Sequence, residues 1–269
     1  MFKEVLERKE LLYNLSARNI KIRYKNSFLG FFWTLLNPLF MILVYMIFIG
    51  LMRFPMDLPY LICGVIPWHF LTMCINDSIN VIEGNSTLIK KTSFPRIILP
   101  LSTIIADTIN FLLSIGVVAL LIPIAGIISS PAKEYSFDLI FIFPAFILQF
   151  ILVFGLSLFV ATLNVYFKDT EHIVSVALMA WFFMSPIIYP LSMIDDFKAK
   201  TVSSLKQMLL EIYYLNPMVL ILSLYRKAFL GTKIVFNYFS FCSIGIVIVI
   251  FLAGLLLFKM KSPFFADEM

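Results

Sequence analysis

The residues of this chain that could do chemistry are few and far apart. Long apolar stretches hold His69, Asp77 and Asp107, and one polar stretch holds the run Lys168-Asp169-Thr170-Glu171-His172. The only adjacent pair of aspartates is Asp195-Asp196. Metal-assisted phosphoryl chemistry needs several converging oxygen ligands, and acid–base catalysis needs a positioned carboxylate or imidazole. We therefore expect a protein that is not an enzyme, with no catalytic residue and no metal site.

Nucleotide-binding and cysteine motifs are missing from the sequence as well. None of the ten glycines begins a GxxxxGK[ST] loop, whose backbone amides and lysine hold phosphates. We therefore expect no cofactor in this chain, and any ATP and Mg²⁺ that it uses to be bound by a partner subunit. Cys63, Cys74 and Cys242 lie in apolar segments, and their odd number and spacing indicate no disulfide framework.

The elements that hold these residues are dictated by composition. The chain is 61% hydrophobic and 14% charged, whereas soluble domains have about 45–50% apolar and ~25% charged residues. Lipid cannot hydrogen-bond the backbone, so a membrane-spanning segment must be a helix or part of a closed barrel. The apolar stretches are continuous and do not alternate as barrel strands do. The sequence predicts an all-α integral membrane protein with a single transmembrane domain over residues 1–269.

Six stretches are long enough to cross a bilayer, which takes about 20 apolar residues. They are residues 26–52, 58–76, 97–124, 139–167, 173–194 and 234–258. An even number of spans places both termini on one side of the membrane. The distribution of Lys and Arg puts that side in the cytoplasm, with 13 of the 21 inside.

Two segments are predicted to be helical without crossing the membrane. Residues 1–25 carry seven basic residues among spaced apolar ones, which is typical of an amphipathic helix on an anionic leaflet. Residues 191–233 are expected to form short outer helices, re-entrant or interfacial. Within them Asn216-Pro217 predicts a helix start, and Gly231 predicts its end.

The stretch GNSTLIKKTSFPR, residues 84–96, is a polar loop between the second and third spans. Asn85 or Ser86 can cap a helix of one or two turns, and Pro95 would end it. Leu88 and Ile89 would then stand beside two lysines. Exposed apolar residues rimmed by cations favour a docking surface for another protein, and an ordinary positive-inside loop is the alternative.

The stretch NSTLIKKTSFPRIILPLS resembles the coupling-helix region of type-2 ABC exporter permeases, in the branch that exports polysaccharides and lipid-linked glycans. RNIKIRYKNSFLGFFWTLLNPLFMILVY, NVYFKDTEHIV, SPIIYPLS and YLNPM resemble further segments of that family in the same order. The resemblance implies a homodimer in the bacterial cytoplasmic (inner) membrane, with two ATP-binding cassette subunits, a lipid-linked glycan substrate, and no nucleic acid partner. It places docking on Asn85, Leu88, Ile89, Lys90, Lys91, Phe94, Pro95, Arg96, Lys168 and Asp169.

Two further sets of residues are candidates for handling the substrate. A glycan offers C–H faces and hydroxyl groups, which suit aromatic walls, and aromatic residues make up 16% of the chain. The candidate channel-lining residues are Phe31, Phe32, Trp33, Tyr45, Trp181, Phe182 and Tyr189, for each of which packing or lipid contact is the alternative. A lipid diphosphate would enter near the basic residues Arg18, Lys21, Arg23 and Lys25, unless these only anchor the helix to anionic lipid.

The sequence leaves more than one role open for the acidic residues within the predicted spans. Asp77 and Asp107 have a packing role, with Asn80 or Asn110 as partners, or a role in the transport pathway or in proton relay.

The leading function is ATP-driven export of a lipid-linked polysaccharide. Its rivals are export of a drug or small lipid, a polyprenyl-phosphate transferase, and a secondary carrier, for which no inverted repeat is visible.

Overall fold

The computed structural model describes residues 2–23, 25, 27–52, 57–129, 137–194, 210–234 and 238–268. These ranges are helical, joined by turns and short 3-10 segments, and no strand occurs within them. In chain order the main helices are α1 (Phe2–Glu7), α2 (Lys9–Arg23), α3 (Trp33–Met52), α4 (Leu58–Ile79), α5 (Ser86–Lys91), α6 (Ile98–Ser129), α7 (Ile142–Tyr166), α8 (Thr170–Phe183), α9 (Pro217–Leu230) and α10 (Tyr238–Lys261). The protein is all-helical in its described part, as its composition predicts.

Four helical stretches of the described chain are long and apolar enough to cross a membrane. They are Leu58–Ile79, Ile98–Ala125, Leu139–Tyr166 and Tyr238–Glu268. The expected first and fifth spans correspond to α3 and α8, whose apolar parts, Leu36–Phe48 and Thr170–Phe183, are shorter. The chain is therefore membrane-embedded, and the count of six spans stays a prediction.

The helix at the expected fifth span ends earlier than predicted. Continuous hydrophobicity indicated a helix to Ile194, but α8 stops at Phe183. Pro186 explains the stop, because proline has no N–H to donate and its ring clashes with the carbonyl of Phe182 in a helix. Ser185, the residue before proline, is also disfavoured in helical conformation. At 14 residues and 1.5 Å each, α8 is about 21 Å long.

Helix α4 is the centre of the bundle. It packs against α3, α6, α7, α8 and α9. Its apolar window is 72% buried by protein, whereas that of the C-terminal helix α10 is only 22% buried. Both helices are apolar, so their hydrophobicity alone does not distinguish a core helix from one that faces lipid. The packing makes α4 the scaffold on which the other elements are positioned.

Helices α7 and α10 cross where two glycines face each other. A Cβ added to Gly254 would overlap the carbonyl oxygen of Gly155 and lie 2.9 Å from its carbonyl carbon. A Cβ added to Gly155 would lie 2.5 Å from Cα of Phe251. Small residues allow such close backbone approach between membrane helices, where packing replaces the hydrophobic effect as the driving force. The two glycines are required to attach α10.

Helix α9 begins and ends where its sequence predicts. The Asn216 side chain accepts a hydrogen bond from the Met218 N–H at 3.0 Å, and Pro217 occupies the first turn. Gly231 ends the helix with a φ of 65°, a left-handed conformation that costs glycine little. The helix cap and the terminating glycine are both confirmed.

Arg226 of α9 is a buried cation that the sequence did not reveal. Its guanidinium lies 3.5 Å from the centre of the Tyr60 ring and donates to the Pro186 carbonyl oxygen at 2.6 Å. A Cβ on Gly64 would come within 2.9 Å of the same guanidinium. Arg226 therefore joins α9, α4 and the turn after α8 into one unit.

The N-terminal helix α2 is bound to α6 by polar side chains. The Asn19 amide donates to the hydroxyls of Ser102 and Thr103, each at 3.3 Å. Tyr13 and Ile22 of the same helix are exposed. Their exposure does not define a lipid-facing side, so the interfacial position of this helix stays a prediction.

Candidate functional site

The polar loop contains the short helix that its sequence predicts, α5, over Ser86–Lys91. Asn85 stands at the N-cap position, but its side chain does not cap the helix. Instead its Oδ1 accepts a hydrogen bond from Arg18 at 2.6 Å, and its Nδ2 donates to the Val81 carbonyl oxygen at 2.8 Å. The start of α5 is thereby attached to α2 and to the end of α4.

Of the residues expected to dock a partner in the first loop, one is buried and anchors α5, and the others lie closer to the surface. Ile89 is only 5% exposed and packs into the protein, so it holds α5 in place. Leu88 and Phe94 are half-buried and pack at the edge of the core, together with Pro95 and Arg96, which are also half-buried. The side chains most available at this surface are Lys90 and Lys91.

A second loop, residues 167–169, is tied to the first. Lys168 forms an ion pair with Glu83, just before α5, while Asp169 is exposed. Asn80 joins the same network, since it accepts from Asn164 at 3.1 Å and donates to Glu171 at 3.3 Å. We call these tied segments, residues 80–96 and 164–171, the loop platform. The bonds between its two segments join residues more than 80 positions apart, which no local pattern could indicate.

Three charged side chains form a cluster, the charge clasp, between α2, α4 and α6. Arg23 donates to Asp107 at 2.5 Å and also forms an ion pair with Asp77. Asp107 is completely buried, whereas Asp77 is partly exposed. The partner of both acids is therefore Arg23, and the sequence-based expectation of Asn80 or Asn110 was wrong. Arg23 is 54 and 84 positions away from its partners, so the pairing was not visible in the sequence.

The four basic residues predicted near the substrate's entrance are in different environments. Arg18 is bonded to Asn85, and Arg23 is held in the charge clasp. Lys21 and Lys25 are exposed. The structure therefore gives two of the four a bonding role within the fold and leaves two at the surface.

An aromatic groove, with a cavity of about 590 Å³, lies between α3, α4 and α8. Tyr45 and Phe182 stack across it with ring centres 5.4 Å apart. Trp68 meets Phe182 edge-on at 5.7 Å, an arrangement that suits the ring quadrupoles. Thr72, Asn76 and Ser175 supply polar groups among the apolar lining residues. The groove combines aromatic faces with a few hydrogen-bonding groups, and none of its described lining residues is charged.

The candidate channel residues do not share one surface. Tyr45 and Phe182 line the aromatic groove, while Trp33 lines a separate cavity. Phe32 is exposed, and the side chain of Phe31 lies outside the described residues. Sequence reasoning missed the contribution of α4, in particular Trp68. Trp68 could have been named as a candidate because it is an aromatic residue in the middle of the second predicted span.

The other two aromatic candidates help to hold the turn after α8. The Trp181 indole N–H donates to Asn216 Oδ1 at 2.9 Å, and the Tyr189 hydroxyl lies 3.0 Å from that of Tyr213. Burial raises the pKa of Tyr213, and the hydrogen bond with Tyr189 raises it further, so the phenol stays neutral. These contacts fix the turn after α8 against α9.

A helical bundle embedded in the membrane, with a polar loop platform at one end and an uncharged groove in its side, defines a membrane-embedded permease. The chain belongs to the ABC-2 type transporter family, whose sequence profile matches residues 10–230. It is a transport subunit of that family.

Relatives of known name extend the similarity over nearly the whole chain. The O-antigen export system permease protein RfbA of Myxococcus xanthus is 32% identical over 235 residues, which cover 85% of this chain and 84% of the relative. Two proteins of the same name from Klebsiella pneumoniae are each 30% identical over 262 residues, covering 96% of this chain and 94% of each relative.

Proposed function

We propose that this chain is the membrane subunit of an ATP-driven exporter that moves a lipid-linked polysaccharide of the O-antigen, capsule or teichoic-acid-like type across the bacterial inner membrane. The observation that carries the proposal is the similarity to proteins named O-antigen export permeases, which runs along nearly the entire chain. In this proposal α3 and α8 are the first and fifth of six spans, and both termini are cytoplasmic.

Two ATP-binding subunits dock on the loop platforms of a homodimer of this chain and supply ATP and Mg²⁺. The exposed lysines of α5 and the partly apolar edge beside them support this assignment, because protein interfaces combine an apolar centre with a polar rim. The buried anchor Ile89 gives the docking helix a firm attachment to the permease.

The loop platform also offers a route by which ATP-driven movement reaches the groove. A force on α5 is transmitted to Glu83 and Asn80 in the preceding segment. Glu83 pairs with Lys168, just before α8, and Asn80 bonds to Glu171 in the first turn of α8. Helix α8 in turn forms one wall of the aromatic groove. Movement of the docked subunits would therefore widen or narrow the groove through α8.

We expect the double substitution Leu88→Asp and Lys90→Glu to weaken binding of the ATP-binding subunit at least about 30-fold. Truncating a central interface residue commonly costs about 2 kcal/mol or more, and here the charge is reversed as well. The measurement is the affinity of the purified permease in nanodiscs for its ATP-binding subunit.

The matched control for this substitution is Tyr238→Asp with Lys233→Glu, an exposed aromatic and basic pair at the start of α10, the end opposite to Lys261, which contacts Tyr166 of the loop platform. It makes the same charge change away from the loop platform and should leave the affinity unchanged. Equal loss in both variants, or no loss in the first, would refute docking at α5. Unaltered thermal stability of both variants is required for the comparison.

The aromatic groove is proposed as part of the glycan pathway. We expect Tyr45→Ala to slow export of the polysaccharide about fivefold, since a ring contact contributes about 1 kcal/mol beyond its buried area. Leu43→Ala is the control, because Leu43 is exposed on the same helix and does not line the groove. Export is measured as surface polysaccharide appearing after induction, and equal rates for the two variants would contradict the assignment.

A further inference from the structure

A second cavity, of about 210 Å³, lies within the bundle between the end of α2, the start of α3 and the middle of α4 and α6. Trp33 and Asn37 are exposed at its rim. Asn110 is part of its lining and is only 1% exposed. This cavity shares no lining residue with the aromatic groove, so it is a separate site.

The buried amide of Asn110 has no bonding partner in the described part of the protein. This holds for both its Nδ2 and its Oδ1. Burying an amide without partners is unfavourable, and buried polar side chains are nearly always hydrogen-bonded. A group that enters the cavity with both a donor and an acceptor would satisfy this amide.

Electrostatics argue against a charged ligand. Arg23 is the only charged side chain among the described lining residues, and Asp77 and Asp107 already share it. Because both acids bond to the Arg23 guanidinium, little of its charge is left to attract an anion such as phosphate. A cation would meet the Arg23 guanidinium in the cavity wall. The remaining titratable group in the lining is His69.

The lining chemistry suits a neutral group that carries several hydroxyls. Carboxamides and serine hydroxyls can each donate and accept, as sugar hydroxyls do, and aromatic faces pack against C–H groups. The residues that provide these features are Ser27, Asn37, Asn110, Ser114, Trp33, Phe70 and Phe111. The volume is below the roughly 300–1,000 Å³ of drug-sized pockets, so it admits one small group.

We propose that this cavity binds a single neutral polyhydroxyl unit, with Asn110 as the central hydrogen-bonding residue. The unit has two possible sources, a sugar of the exported glycan or the polyol head of a membrane lipid. The glycan source rests on the proposed export function, whereas the lipid source does not.

The test is saturation-transfer NMR on the full chain in phosphatidylcholine nanodiscs together with its ATP-binding subunit. The probes are methyl β-glucoside, glycerol and inorganic phosphate. We expect saturable binding of a hydroxylated probe, weakened at least about tenfold by Asn110→Leu, which keeps the side-chain size and removes the amide. Asn14→Leu, on an exposed part of α2, should leave binding unchanged.

Each outcome of this experiment decides one point. Binding of the glucoside in an Asn110-dependent way assigns a sugar, and binding of glycerol alone assigns a lipid head. Absence of saturable binding, displacement by phosphate, or equal binding to Asn110→Leu overturns the proposal. In the absence of ligand, Asn110→Leu should also raise the unfolding temperature, because it removes a buried amide that has no partner among the described residues. A lowered unfolding temperature would mean that the amide is bonded in the folded protein and would contradict the proposal. Association with the ATP-binding subunit in the same sample tests the export function separately.

Discussion

Replacing Arg23 with methionine is expected to destabilise the protein by about 3–5 kcal/mol. The substitution keeps the length of the side chain but leaves Asp107 as a buried carboxylate without its cation, and removing one partner of a buried ion pair costs that much. Asp77 is partly exposed and regains water, so it contributes less. Chemical denaturation of the permease in mixed micelles measures the loss.

Two further variants separate charge from packing. Lys21→Met, on the same helix with an exposed side chain, should change stability by no more than about 0.5 kcal/mol. The double variant Arg23→Met with Asp107→Asn should recover most of the loss, because no uncompensated charge remains buried. The difference from additivity gives the coupling energy of the pair directly.

Results of two kinds would contradict the charge clasp. Additive losses from Arg23→Met and Asp107→Asn would mean that the two side chains do not interact in the folded state. A loss from Lys21→Met as large as that from Arg23→Met would mean that the helix needs basic residues in general, for instance to bind anionic lipid. Either result would return Arg23 to the two roles that its sequence context left open, a cation facing the substrate's head group or an anchor to anionic lipid.

Gly254→Ala is expected to cost about 3 kcal/mol or more and to detach α10 from α7. Adding a methylene to a packed core ordinarily costs about 1–3 kcal/mol, because side chains move aside. Here the obstacle is the backbone carbonyl of Gly155, which cannot move without shifting a whole helix. Gly155→Ala meets the backbone of Phe251 and should have a similar effect.

Gly245→Ala is the matched control on the same helix. A Cβ at Gly245 meets nothing within 4 Å, so this variant should be neutral or slightly stabilising through the higher helix propensity of alanine. Cysteine cross-linking between α7 and α10, together with thermal unfolding, distinguishes the two outcomes. Equal stability of Gly254→Ala and Gly245→Ala would exclude the close crossing.

Local features of the fold were predictable from short stretches of sequence. The cap at Asn216 and the stop at Gly231 are set by residues adjacent in the chain, and so is the short helix after Asn85. The prediction that the fifth span continues as a helix to Ile194 was wrong, and the reason is also local. Pro186 lies in the last part of the predicted span, and the helix stops before it, at Phe183.

The candidate site was less predictable because its parts come from distant segments. Ile89 carried the same apolar signal as Leu88, yet one is an anchor and the other lies at the edge. Tyr45 and Phe182 meet in the groove, but Trp33, from the same aromatic-rich segment as Tyr45, lines a different cavity. Residue type alone did not indicate which way a side chain faces.

By itself the sequence determined that this protein is embedded in a membrane and is helical, because an apolar chain in lipid must satisfy its own backbone hydrogen bonds. It also determined the polar loop, since polar residues between spans must reach water. Only the tertiary structure decided that Arg23 pairs with Asp107 and that the backbone of Gly155 lies against Gly254. It also decided that the Asn110 amide is buried with no partner among the residues that the structure describes. Because the candidate membrane spans are apolar on all sides, hydrophobicity does not specify their neighbours. Neighbours are selected by shape and by the few polar groups that must find one another.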